Sequence, residues 1–168
     1  TKIIVPFGKG EGPIVNDRYF GKVPADRLVV HESEGFITMT ADGHYRSKIG
    51  VPPARAKQAL GSYSASLGLL TVVTFSDLQP RGYVNSLWED QKDPLTGDAV
   101  NAYNDGPTEP GKPSLGGFYE LETSSPATPL APKATLSHDQ TTYHFTGDRA
   151  ALETIAKRML GVSLADVR

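Results

Sequence analysis

Glu120 and Glu122 stand two residues apart in the run Phe118-Tyr119-Glu120-Leu121-Glu122-Thr123. That run reads as a strand, so the two carboxylates share one face. Neighbouring carboxylates repel, and the repulsion raises the pKa of one of them. Acid/base catalysis uses pairs arranged in this way. The same spacing also suits two exposed side chains, or two that each pair with Lys or Arg.

Arg46 and Lys48 pose a similar choice. They share a face of the alternating stretch Tyr45 to Gly50, just after Asp42-Gly43, a strong hairpin-turn dipeptide. They line a ligand site, form a solvated strand face, or pair with carboxylates of a neighbouring strand. Trp88-Glu89 holds the only tryptophan, with Tyr83, Asn85, Asn101 and Tyr103 nearby in sequence. A flat ring beside amides and carboxylates suits the apolar face and the hydroxyls of a pyranose, the usual apolar wall with a few polar groups. A buried core tryptophan fits the same residues.

The four histidines are His31, His44, His138 and His144. No pair has metal-ligand spacing on one helix, and no metal or organic cofactor is expected. A neutral imidazole both donates and accepts hydrogen bonds, so one of them could contact a sugar or shuttle a proton. Gly8-Lys9-Gly10-Glu11-Gly12 lacks the Gly-Lys-Ser/Thr ending of a phosphate loop, and no helix pattern follows it.

The elements that must position these residues are mostly strands. Ile3–Phe7, Arg27–Val30, Phe36–Thr40, Tyr45–Gly50, Leu69–Phe75, Phe118–Thr123 and Thr141–Phe145 all read as β. Leu69–Phe75 is nearly all apolar or β-branched, which predicts a central strand covered on both faces. Val51–Leu60 reads as a loop or a helical turn. Residues 90–113 form a long polar stretch with a possible short strand at Val100–Tyr103; long loops of this kind are usually functional or disordered. One helix is expected, from about Arg149 to Leu160. Asp148 is its N-cap, Leu152, Ile155, Ala156, Met159 and Leu160 its apolar stripe, and Gly161 its C-terminal cap. The fold class is therefore mainly β: antiparallel sheets in a sandwich, with one C-terminal amphipathic helix.

Composition narrows the partners. The 168 residues carry a formal net charge of -2 and no basic run, which argues against nucleic acid. There is no cysteine, so disulfides and thiolate chemistry are excluded. The longest apolar runs fall far below the ~20 residues of a membrane span. No leader pattern opens the chain and its first residue is Thr1, so the expectation is that a segment ahead of it has been removed.

Gly116–Ala127, with Leu130-Ala131-Pro132 and Thr141–Phe145 after it, resembles the last strands of aldose 1-epimerases of the galactose-mutarotase-like superfamily. There a Leu-Glu strand precedes a Pro-Ala turn, a Leu-x-Pro-Gly turn and a strand ending in an aromatic. Lys133 stands here in place of that turn's glycine. Asn16–Gly21, Ala41–Gly50 and Val100–Pro107 make nearly the whole chain similar to the C-terminal half of a bacterial family of unknown function with the same fold.

The resemblance implies one domain over 1–168 that is half of a larger sandwich. It would associate with a second copy or with a separate N-terminal half. It implies a carbohydrate ligand, with Glu122 as general base at the anomeric hydroxyl and His138 or His144 as proton donor. Trp88, Glu89, Asn101, Tyr103, Arg46, Lys48 and Glu120 would bind the substrate. A periplasmic or secreted location is expected, with a cytoplasmic one open. The rival readings are a non-catalytic sugar-binding module and a structural β-domain of a larger assembly.

Overall fold

A computed structural model describes residues 1–87 and 89–167. Trp88, one of the expected ligand contacts, lies outside the described residues.

Among the described residues, nine strands and one helix follow in order: β1 Lys2–Pro6, β2 Leu28–His31, β3 Phe36–Thr40, β4 Ser47–Val51, β5 Ala59–Ser64, β6 Leu69–Phe75, β7 Val100–Asn104, β8 Tyr119–Thr123, β9 Gln140–Thr146 and α1 Arg149–Met159. They build a six-stranded sheet, β2-β3-β1-β5-β6-β9, and a three-stranded sheet, β4-β7-β8. All of the pairings between these strands are antiparallel. No helix among the described residues is long and apolar enough to cross a membrane.

Three layers result. Alternation along the strands sends Ile3, Val5, Ile37, Met39, Leu60 and Val73 of the large sheet inward, against Ile49, Val51, Val100 and Ala102 of the small one. The other face of the large sheet carries Ile4, Leu70 and Val72 under Leu152, Ala156 and Leu160 of the helix segment. Burying a leucine contributes roughly 1.5–3 kcal/mol, so this stripe anchors the tail. Gly61 lets it sit close, because a β-carbon there would press on Leu160 and the Thr71 carbonyl.

The helix starts as expected: the Asp148 side chain accepts from the Ala151 N–H at 2.8 Å. Gly161 follows with φ +70°, the left-handed conformation that ends helices. β6 is covered on both faces, by the small sheet and by the helix.

Two expectations need correction. Asp42-Gly43 makes a turn but no hairpin, because β3 pairs in the large sheet and β4 in the small one. Asn104 Oδ1 accepts from the backbone N–H of both Asp42 and Gly43, which holds the crossing. Val51–Leu60 is neither all loop nor a helix, since β5 begins at Ala59 and pairs with β1 and β6. The short strand expected at Val100–Tyr103 within the polar stretch 90–113 is present as β7, every residue of which is buried at the centre of the small sheet.

Candidate functional site on the outer face of the small sheet

The register of the small sheet decides what meets what. Lys48, Tyr103 and Glu120 stand in one row across β4, β7 and β8, and Gly50, Asn101 and Glu122 in the next. All six point away from the sandwich core. Antiparallel diagonal neighbours lie within reach of long side chains, and Lys48 uses that reach: its Nζ donates to Glu122 Oε2 at 2.9 Å. The choice left open by the sequence for Glu122 is thus resolved toward an ion pair with Lys48. Glu122 Oε1 is buried and has no hydrogen-bond partner among the described residues. Glu120 is the carboxyl held above its ordinary range, by burial first and by the charge of Glu122 second.

A buried cluster borders this pair. Asp98 lies just before β7 and is 4% exposed. Its Oδ2 accepts from Tyr19 OH at 2.6 Å and from Asn16 Nδ2 at 3.0 Å. Asn101 Nδ2 donates to Tyr19 OH at 3.0 Å and to the Ile49 carbonyl at 3.2 Å. Burial pushes the Asp98 carboxyl up, against the opposing effect of these donors. Burial, and then the Asp98 charge, push the Tyr19 phenol well above its usual range. Tyr19 is therefore a fixed neutral donor. Gly50 makes room for the cluster, since a β-carbon there would run into Asp98 Oδ2 and Asn101 Nδ2.

The cluster anchors residues 16–20 as a wall over the sheet. Lys48 Nζ lies 5.5 Å from the Tyr19 ring centroid. Facing that wall are Ser86, Leu87 and Glu89. Together with Tyr19, Phe20 and Lys48 they enclose a cavity of about 220 Å3. Two further cavities flank it. One, of about 480 Å3, lies beyond Phe20 and is lined by His44 and Arg46 among others. The other, of about 360 Å3, lies beyond Leu87 and is lined by Asn16, Arg18 and Asp98 among others.

Of the expected site residues, Arg46, Lys48, Asn101, Tyr103, Glu120 and Glu122 are brought onto one face, and Glu89 lies at the cavity above it. Asn101 spends its amide nitrogen on Tyr19 OH and the Ile49 carbonyl, which ties Tyr19 to the sheet. Tyr103 accepts from Arg46 Nε and donates to Asp105.

The two histidines are not brought to this face. His138 Nε2 sits 2.9 Å from Thr123 Oγ1, on the side of β8 opposite Glu122. His144 Nδ1 sits 3.0 Å from Thr71 Oγ1 on the large sheet. The pairing of Glu122 with either histidine is therefore not assembled, because alternation along β8 puts 122 and 123 on opposite sides. No group of three or more His, Asp or Glu residues suited to a metal forms among the described residues.

Tyr19, Phe20, Asp98 and Asp105 are the residues that reading the sequence missed as site members. Tyr19 reaches Asp98 across 79 residues, so no local spacing announces the pair. The polar-aromatic cluster Asn16-Asp17-Arg18-Tyr19-Phe20 was the available signal.

A family model covers residues 1–168, that of a family of unknown function, DUF6786. The chain belongs to this family. No curated protein matches the chain, and no solved structure matches it. The family description assigns no activity, so a functional reading has to rest on the chemistry of the face itself.

Proposed function

We propose that the chain is a carbohydrate-active protein of the galactose-mutarotase-like kind, with the sugar seated above Lys48 and Glu122. One juxtaposition carries this reading. The rings of Tyr19 and Phe20 wall a small cavity whose floor includes Lys48, and Lys48 is bonded to a carboxylate with one unpartnered oxygen. A pyranose offers an apolar face to the rings and hydroxyls to the charged pair. A cavity of this size and lining suits a small polar ligand, and a sugar hydroxyl can supply the missing donor to Glu122 Oε1 after a small side-chain rotation.

A second reading, turnover at the anomeric centre, is favoured by the adjacent carboxyls. Glu120, with its raised pKa, stays protonated to higher pH and would give a proton, while Glu122 would accept one.

Trp88 lies in sequence between two residues that line the cavity, Leu87 and Glu89, and it is the only tryptophan. Its fluorescence is therefore a single-site report. Titration with monosaccharides should give a saturable change for at least one sugar, weakened about tenfold or more in Glu122→Gln, with Lys48 still in place. Polarimetry on a fresh single anomer separates the readings: accelerated mutarotation means an enzyme, and binding without it means a sugar-binding module. Flat titrations across aldoses, ketoses and uronic acids would contradict both.

A further inference from the structure

Resting on the sugar reading above, we infer that the ligand carries an anionic group, a carboxylate or a phosphate, which docks on Arg46. The side chain is held from two directions. Its guanidinium carbon lies 4.0 Å from the centroid of the Phe20 ring, a close cation–π contact. Its Nε donates to Tyr103 OH at 3.3 Å.

Tyr103 is itself fixed. Its hydroxyl donates to Asp105 Oδ1 at 3.1 Å, and Asp105 Oδ2 accepts from the N–H groups of Gly116 and Gly117 at 2.8 and 2.9 Å. The Phe20 and Tyr103 rings meet edge to face with centroids 5.9 Å apart.

With Nε bonded to Tyr103 and the guanidinium carbon seated over the Phe20 ring, the two remaining nitrogens are left as a fork. The bond from Nε is the only side-chain hydrogen bond Arg46 makes among the described residues, and it forms no ion pair there. Asp105, the nearest carboxylate in the chain of bonds, is used up by two glycine N–H groups and Tyr103. Arg46 lines the cavity of about 480 Å3, with His44 and Thr108 as further donors. A planar fork of this kind matches a carboxylate or phosphate with two parallel bonds.

Glu109 also lines this cavity; it opposes an anion and weakens binding. Phe20 lines both this cavity and the one above Lys48. One ligand can therefore place its ring by Tyr19 and Phe20 and its charge at Arg46.

Calorimetric titration at low ionic strength tests this. Glucuronate and galacturonate are compared with glucose and galactose, glucose 6-phosphate with glucose, and inorganic phosphate is run alone. At least one acidic sugar should bind about tenfold or more tighter than its neutral parent, a difference of about 1.4 kcal/mol. Uronate and sugar phosphate tell the two sources of charge apart. Arg46→Gln should bring the acidic-to-neutral ratio to about one. Arg46→Lys, which keeps the charge and loses the fork, should restore only part of it, with folding checked by circular dichroism. Glu109→Gln should raise the ratio.

Equal binding of acidic and neutral sugars by the native protein would overturn the inference and leave the sugar reading standing. So would a preference that survives Arg46→Gln. Free phosphate binding as tightly as the sugar phosphate would also overturn it. If no sugar of either class binds, the sugar reading falls and this inference falls with it.

Discussion

At the scale of single residues, the site is built on one buried carboxylate and the groups that satisfy it. Asp98 sits among side chains that exclude water, where an acceptor without donors costs several times what a hydrogen bond contributes. Tyr19 OH and Asn16 Nδ2 meet that need, and in doing so they fix the wall of the cavity. Tyr19→Phe removes one donor and leaves the Asp98 oxygen short. The expected loss is about 1–3 kcal/mol of stability, read as a lower urea midpoint with an unchanged slope. Because the same hydroxyl holds residues 16–20 against the sheet, the variant should also weaken sugar binding. A Tyr19→Phe protein as stable as the native one would show that Asp98 finds its donors elsewhere.

At the scale of elements, some of the fold is legible in the sequence and some is not, for physical reasons. α1 announces itself because its cap, its stripe and its terminating glycine are all local. β6 does so because seven apolar or β-branched residues stand in a row. β5 hides because Ala59-Leu60-Gly61-Ser62-Tyr63-Ser64 has no β-branched residue. It becomes a strand through pairing with β1 and β6, and tertiary context of this kind overrides propensity. β7 is legible only in part: two of its five residues are asparagines, Asn101 and Asn104, which weakens the strand pattern, yet both are buried because they bond to distant backbone.

The face of Arg46 and Lys48 follows from the period of two. The choice of Glu122 as the partner of Lys48 needs the register, which no spacing contains. One turn can be tested directly. Lys133 adopts φ +68°, a conformation that costs an L-residue roughly 1–2 kcal/mol. Lys133→Gly should relieve that strain at some cost in unfolded-state entropy. The net gain is expected to be up to ~1 kcal/mol, measured by thermal or urea unfolding. A clear loss of stability would mean that the lysine side chain contributes more than its backbone costs.

At the scale of the whole molecule, two sets of carboxyls pull the pH dependence in opposite directions. Asp42, Asp105 and Glu153 are held below their ordinary range. For Asp42 and Asp105 burial is the largest single influence and opposes the shift, but the donors outweigh it: Arg27 and the His44 N–H for Asp42, the glycine N–H groups for Asp105. For Glu153 the bond from Lys157 leads. These three add stability above the ordinary carboxylate pKa, and it is lost as pH falls through their lowered values. Asp98 and Glu120 are raised, burial leading in both. The folded chain holds their protons longer, so their contribution is largest at low pH and is lost as pH rises through the raised values. Urea midpoints between pH 3 and 8 should therefore pass through a maximum in the acidic range and decline from there toward pH 8. A profile that climbs steadily to pH 8 would contradict the raised values.

The central claim is that a sugar occupies the outer face of the small sheet. Nuclear magnetic resonance mapping of backbone amides during a titration with the sugar that most changes Trp88 fluorescence tests it most directly. The account predicts shifts concentrated in residues 16–20, 46–50, 86–89 and 101–105, with β2, β3 and α1 silent. Shifts centred instead on His138 and His144, on the helix layer, or nowhere along the chain would contradict it.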